Sequence, residues 1–229
     1  MISASVFSST KKEISSIRLS AIALCGTMDM RTVEKIEYGS ASAVRVPPDA
    51  ISNLGMPDRF IAFDTETTGL NPDKDCIVEL GAVVFEHGVP IETFQSYVNP
   101  GVCISEEVSA LNHITNEMLQ AAPTEEIIYP ELMRFLGTAA KGETMICGHV
   151  AAFDLSFLCK TLGRLGITAN FRFVDTRQLA TQIPELTHHS LAAVAKYFNV
   201  PHEHAHQAKE DALTSGQIFC KMLERNRNI

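Results

Sequence analysis

The stretch Phe60-Ile61-Ala62-Phe63-Asp64-Thr65-Glu66-Thr67-Thr68-Gly69 decides how this chain is read. A short apolar run that leads straight into acids and then a glycine reads as a buried strand with a polar end. Side chains two apart on a strand point the same way, so Asp64 and Glu66 project from one face and Phe63 and Thr65 from the other. Two carboxylates side by side repel and raise each other's pKa unless a cation sits between them. Mg²⁺ or Mn²⁺, hard ions that prefer oxygen ligands, supply that compensation. A pair of exposed acids at a strand end is the plainer reading of the same letters.

Working outward, Ile77 to Phe85 is a second β-rich run, and Glu92 to Val98 alternates more loosely, as an edge or third strand does. The turn signals Gly69-Leu70-Asn71-Pro72 and His87-Gly88-Val89-Pro90 separate the three. Pro123 to Leu136 reads as a helix with Ile127, Ile128, Leu132, Phe135 and Leu136 on one side and Thr124 as N-cap. Met145-Ile146-Cys147 is a brief buried strand, Phe153 to Leu165 a helix stopped by Gly166, and Phe171 to Val174 another strand. Helices follow at Thr176–Gln182, Ser190–Phe198 and Gln207–Glu224. Three strands on tight turns, then strands alternating with helices, give an α/β domain with a mixed sheet.

The 229 residues are 45% hydrophobic and 20% charged, ordinary for a globular chain, and at about 150 residues per domain make one generous domain or one domain with an appendage. Six cysteines at positions 25, 76, 103, 147, 159 and 220 form no C-x-x-C pair, which argues against a zinc ribbon or a secreted disulfide framework and for a reducing, cytoplasmic setting. No run comes near the ~18 consecutive apolar residues of a membrane span. The net charge of −8 excludes a basic wrapper of nucleic acid, whose affinity comes from counterion release, but not metal-dependent nucleic-acid chemistry, whose sites are themselves carboxylates. The charge is uneven: residues 1–57 carry +1 and residues 58–229 carry −9. Residues 1–57 are Ser-rich and lack sustained periodicity, and read as a flexible extension or a misassigned start. Within them Leu19–Gly26, after Lys11, Lys12 and Arg18, faintly resembles a signal peptide, although Leu24 spoils the small-residue pattern before Cys25.

Two further stretches hold chemistry-bearing residues. In Ile146-Cys147-Gly148-His149-Val150-Ala151-Ala152-Phe153-Asp154 a strand gives way to a small-residue turn, and Asp154 comes near the start of a helix. A favourable acid facing the helix dipole is the bland alternative for Asp154. In His206-Gln207-Ala208-Lys209-Glu210-Asp211 the histidine and the last acid are five apart, about 140° around a helix. They converge only if His206 lies on the loop before it. His206 also belongs to a histidine-rich stretch (His188, His189, His202, His204), where an H-x-H-x-H alternation could take zinc adventitiously.

Taken together and in this order, the three motifs resemble the DnaQ-like 3′–5′ exonucleases of the DEDDh type. The resemblance covers about residues 60–225, on Asp64 through Leu70, His149 through Asp154 and His206 through Asp211. Ile77-Val78-Glu79-Leu80-Gly81-Ala82 is similar to the family's second strand, and Ile114 through Leu119 to its segment over the terminal nucleotide. The resemblance implies a ribonuclease H-like fold, a mixed five-stranded sheet flanked by helices, with residues 58–229 as the exonuclease domain. It implies two ions, Mg²⁺ or Mn²⁺, held by Asp64, Glu66, Asp154 and Asp211, with His206 taking the proton of the attacking water. Histidine, whose ordinary pKa is about 6.5, suits that role. The sister type carries a tyrosine where this chain has Gln207. Thr67, Leu70, Leu111, Asn112 and Phe153 are the candidates for holding the last nucleotide, core packing being the alternative for Leu70, Leu111 and Phe153. Two positions depart from the usual pattern, Val150 where an asparagine is common and Asn112 where a histidine is; both touch substrate grip more than chemistry.

The expected substrate is the 3′ end of single-stranded nucleic acid, DNA first, released one nucleoside monophosphate at a time. A ribonuclease for RNA 3′ ends or short oligoribonucleotides is the rival within the enzyme class, and a catalytically silent binding module the rival from another. A silent module would have lost a catalytic position, and all five are present. A polymerase or a homodimer partner is open, with no clamp-binding signature in the sequence, and no membrane partner is expected.

Overall fold

The computed structural model describes residues 30–52, 54–203 and 205–226. The signal-like stretch Leu19–Gly26 and His204 of the histidine alternation lie outside the described residues. Among the described residues seven strands form one sheet, in the order β1 (Lys35–Tyr38), β2 (Ala41–Arg45), β7 (Ala169–Asp175), β6 (Met145–Gly148), β3 (Arg59–Thr67), β4 (Ile77–Glu86), β5 (Val89–Tyr97). At its centre is β3 (Arg59–Thr67), followed by β4 (Ile77–Glu86) and β5 (Val89–Tyr97) in an antiparallel meander. Parallel to β3 run β6 (Met145–Gly148) and, beyond it, β7 (Ala169–Asp175).

At β3 and β4 the sheet is buried on both faces, which is why these two strands read as continuous apolar runs rather than alternating ones. Period-two geometry splits them cleanly. Phe60, Ala62, Val83 and Phe85 point to one face, where α7 (Leu191–Phe198) and α8 (Ala208–Asn226) contribute Val194, Ile218, Phe219 and Leu223. Phe60 stacks on Phe85 at 4.7 Å and meets Phe219 edge-on at 5.1 Å, arrangements that add to simple burial. Ile61, Phe63, Leu80 and Ala82 point to the other face, covered by α5 (Ala151–Arg164) through Phe157, Leu158 and Leu162 and by α4 (Glu125–Leu136) through Tyr129 and Leu132. The remaining helices are short: α1 (Pro48–Ser52), α2 (Glu106–Asn112), α3 (Asn116–Ala121) and α6 (Thr176–Ala180). Among the described residues no helix is long and apolar enough to cross a membrane.

The mixed α/β sheet flanked by helices is as expected, but it has seven strands where five were expected. The extra pair, β1 (Lys35–Tyr38) and β2 (Ala41–Arg45), forms a hairpin whose second strand runs parallel to β7. Both strands come from the stretch 1–57 that was set apart as an extension. The physical reason is non-local: Ala41-Ser42-Ala43-Val44-Arg45 has little apolar bulk, and its strand exists because the edge of β7 offers a ladder, Ala41 to Ala169 through Arg45 to Phe173. Short helices α2 and α3 were likewise invisible to periodicity. Their starts are set by hydroxyl caps, Ser105 accepting from Val108 N–H and Thr115 from Met118 N–H.

Candidate active site

In an open α/β sheet, functional groups gather beyond the carboxyl ends of the parallel strands, and here the central ones are β3, β6 and β7. The ladder between β3 and β6 ends at Ala62 and Cys147, so β3 runs on past its neighbour. There a side chain replaces the missing strand. Asp154, in the first turn of α5, accepts from the Thr65 N–H at 3.0 Å and from the Thr65 hydroxyl at 2.8 Å. That docks Asp154 on the one residue between Asp64 and Glu66. Asp154 and Glu66 are buried, at 3% and 1% exposed, and Asp64 is half-buried.

The fourth acid arrives on the opposite layer. His206 sits on the turn before α8 with φ 68°, and its N–H donates to Asp211 Oδ2 at 3.1 Å. This left-handed residue converts the awkward five-residue spacing into convergence, because the histidine folds back over the first turn instead of following the helix. Ligand atoms of Glu66, His206 and Asp211 lie within 4.8 Å of one another. His202 Nε2 meets Asp211 Oδ1 at 2.9 Å, so both oxygens of Asp211 are oriented by the loop ahead of its own helix.

What seats α8 is in β4. Gly81, opposite Asp64 in the ladder, lies against the start of the helix, and a Cβ there would come within 2.2 Å of the Ala208 backbone. Glu79, opposite Glu66, accepts the Ala208 N–H at 3.2 Å and the Gln95 amide at 2.6 Å. Burial raises the Glu79 pKa, the two hydrogen bonds work against that rise, and the charge of Asp211 adds to it. Sequence reading missed Glu79, although an acid inside an otherwise apolar strand signals a buried partner.

A second network holds the start of α5. Both ring nitrogens of His149 are engaged, Nδ1 with the Thr176 hydroxyl and Nε2 with the His189 carbonyl, each at 2.9 Å. Burial pushes the His149 pKa down to about 4, which favours the neutral ring; Nε2–H donates to the His189 carbonyl, and Nδ1 faces the Thr176 hydroxyl, which also reaches the Gly148 carbonyl. Val150 follows in the left-handed region at φ 64°, ψ 39°, an outlier for a β-branched residue. Asparagine tolerates that conformation far better, which explains in backbone terms why asparagine is common at this position; nothing in the structure explains the valine. Beside His189 opens a cleft of about 730 Å³ lined by Arg177, His188, His189, Lys196 and Tyr197.

The candidates for substrate grip are distributed differently. Phe153 is 3% exposed and leans on Phe157 at 5.0 Å, and Leu70 packs against the same core. Asn112 is buried with its Oδ1 accepting the Ile114 N–H, a local turn contact. Thr67 is buried with its hydroxyl donating to the Gly69 carbonyl, and Leu111 is half-buried.

Carboxylates converging on the end of a central strand from two opposite helical layers, with a loop histidine over the last of them, follow the order of the DnaQ-like 3′–5′ exonucleases of the DEDDh type. Residues 61–219 match the RNase T exonuclease family, and the chain belongs to that family. It is 35% identical over 179 residues to a PolC-type DNA polymerase III of Caldanaerobacter subterraneus, and 34% identical over 172 residues to that of Clostridium perfringens. These alignments cover 78% and 73% of this chain but 12% of each relative, so the chain spans a small part of the polymerases' length. Among solved structures, Escherichia coli exonuclease I in complex with a dT13 oligonucleotide has TM-score 0.63 at 17% identity, over 75% of this chain and 42% of that one. The nuclease domain of 3′hExo, a DEDDh family member bound to rAMP, has TM-score 0.61 at 19% identity, over 73% and 92%. At these identities the structural likeness concerns the fold.

Proposed function

We propose that this chain removes nucleoside monophosphates from single-stranded 3′ ends, with DNA as the principal substrate, and that Asp64, Glu66, Asp154 and Asp211 hold two divalent cations, Mg²⁺ or Mn²⁺. The observation that carries this reading is the approach of Glu66, His206 and Asp211 within 4.8 Å, drawn from a strand and from the start of a helix on the other layer. The donor set fits the ions: carboxylate oxygens and one imidazole nitrogen suit hard cations, and buried carboxylates this close are costly without compensating positive charge. When bound, such cations supply charge relief at the phosphate, a more acidic water and support for the departing 3′ oxygen.

The chain's own groups do the rest. His206 takes the proton as water attacks phosphorus and the bond to the 3′ oxygen breaks, and the hydrogen bond from its own N–H to Asp211 keeps the loop in register with the acids. Thr65 fixes the rotamer of Asp154 from two directions. The terminal nucleotide lies against Thr67, Leu70, Leu111, Asn112 and Phe153, and the strand leading to it crosses the cleft beside Arg177, Lys196 and Tyr197, cationic and aromatic groups suited to phosphate and base stacking that share the lining with Glu185. Residues 58–229 form the nuclease unit and the hairpin 35–45 completes its sheet. The PolC-type relatives favour DNA and a polymerase partner, and the free thiols of Cys76, Cys103, Cys147, Cys159 and Cys220 suit a cytoplasmic setting. The second reading, an RNA 3′ exonuclease, is favoured by the rAMP-bound 3′hExo neighbour.

Time-resolved digestion of matched 3′- and 5′-labelled DNA and RNA, with Mg²⁺ or Mn²⁺ and then EDTA, tests both. The expected result is stepwise loss of the 3′ label, abolished by EDTA, faster on DNA, and reduced by about 10²–10⁴-fold in His206→Ala. Robust digestion by His206→Ala removes the assigned base, and equal or faster RNA digestion exchanges the first reading for the second.

A further inference from the structure

We infer that Arg45, on the hairpin outside the family-matched residues, is a positioning residue for the nuclease site: through Asp175, at the end of β7, it acts on the helix that carries Asp154. The inference rests on the proposed function, since it concerns how that site is held.

Arg45 ends β2, and its side chain is entirely buried. Its guanidinium spans two parts of the chain. Nε donates to the Val33 carbonyl at 2.7 Å and Nη2 to the Met30 carbonyl at 3.2 Å, both in the N-terminal stretch. Nη1 donates to Asp175 Oδ2 at 3.1 Å and to Gln178 Oε1 at 3.0 Å, at the end of β7 and in α6. The plane lies 5.1 Å from the centre of the Phe173 ring. Five donors in a rigid fork can satisfy such a set at once, which a lysine ammonium cannot do in the same directions.

Asp175 passes this fixation on. Its other oxygen, Oδ1, accepts the Val150 N–H at 3.0 Å and the Arg177 N–H at 2.9 Å. One carboxylate therefore has an oxygen on Arg45 and an oxygen on the amide where α5 begins. Val150 is the left-handed valine, a conformation that L side chains resist and that persists only where surroundings over-determine it. If Val150 relaxed, the first turn of α5 would turn with it, and Asp154 would leave Thr65. The hairpin also grips the far end of the helix. A Cβ on Gly163 would lie 2.2 Å from the Tyr38 carbonyl oxygen, so β1 rests on α5 with no side chain between them. Segment 30–45 thus meets the Asp154 helix at both ends, but only the polar tie through Arg45 lies at the end that bears the acid and sets its position.

A buried ion pair by itself is weak evidence of stabilisation, because desolvation offsets the attraction. Its value here is geometric, and the test must separate position from stability. In the full chain, Mn²⁺ affinity by calorimetry, kcat and KM on a labelled oligonucleotide, and melting temperature are measured for wild type, Arg45→Met, Arg45→Lys and Ile36→Ala. Ile36 is buried in β1 and serves as a packing control. Arg45→Met is expected to bind Mn²⁺ about tenfold more weakly and to lose kcat with KM little changed. Arg45→Lys, which keeps the charge and loses the fork, should fall between. Ile36→Ala should lower the melting temperature with Mn²⁺ affinity and kcat retained. Should Arg45→Met fail to fold, Arg45→Lys carries the test. Wild-type Mn²⁺ affinity in the Arg45 variant overturns the inference, and so does an equal loss in Ile36→Ala. A wild-type chain that binds no Mn²⁺ overturns the metal reading itself, and this inference with it.

Discussion

Helices α5 and α8 do the same job by different means. Each brings an aspartate from its first turn to the end of β3, Asp154 from one layer and Asp211 from the other. The start of α8 is set by contact: Gly81 lets the backbone touch the sheet, and Glu79 takes the first free amide at Ala208. The start of α5 is set at a distance, through His149, Val150 and Asp175, with a valine held in a conformation it resists. Residues Ala151 to Cys159 are all buried, so apolar packing on every side cannot tell one rotation of α5 from another, and polar ties fix its phase. Helix α8 has a solvent face and a bare glycine beneath it, so shape alone goes far towards placing it.

Breaking the contact mechanism is expected to have the largest effect. Gly81→Ala puts a methyl into the Ala208 backbone; the start of α8 must lift, carrying Asp211 and His206 away from Glu66. Exonuclease activity should drop by about 100-fold or more, with a stability loss of about 3 kcal/mol, read from oligonucleotide digestion and urea unfolding. Near-wild-type activity in this variant would mean that α8 is placed by other contacts.

The polar mechanism of α5 predicts a pH dependence next in size. His149 titrates at about 4 when folded and about 6.5 when unfolded. Between those values the unfolded chain binds more protons, so stability contributed by neutral His149 is complete above about pH 6.5 and is lost as pH falls towards about 4, to at most about 3 kcal/mol. Urea midpoints at pH 7 and pH 4.5 should differ less in His149→Gln than in wild type; an unchanged difference would place the titrating group elsewhere.

The smallest effect sharpens the account of Val150. Both Val150→Ala and Val150→Asn lose the buried isopropyl group, but asparagine accepts the left-handed conformation more readily. Val150→Asn should therefore be more stable than Val150→Ala by about 1 kcal/mol, and the reverse order in thermal melts would remove strain from the explanation.

The same contrast marks what could be read in advance. Strands β3, β4, β6 and β7 and helices α4, α5, α7 and α8 were legible because their periodicity or continuous apolarity is local. Asp64 and Glu66 stood out as acids at the end of an apolar run, whereas Asp154, His206 and Asp211 took their roles from the resemblance of the three motifs, in order, to the DnaQ-like exonucleases. Hairpin β1–β2 was not legible, since a small-residue segment becomes a strand only when β7 offers its edge. Glu79 and Asp175 were visible as acids in apolar company, yet nothing along the chain says that one receives Ala208 and the other Val150.

The order and type of the acids, and the layers that would carry them, are properties of the amino-acid sequence alone, because alternation, helical period and side-chain chemistry act over a few residues. Where those acids stand relative to one another was decided only when the chain folded. A left-handed turn at His206, a bare glycine under α8 and a guanidinium from a hairpin near the other end of the chain are contacts between residues up to 130 positions apart, and no short-range rule of the backbone encodes such distances.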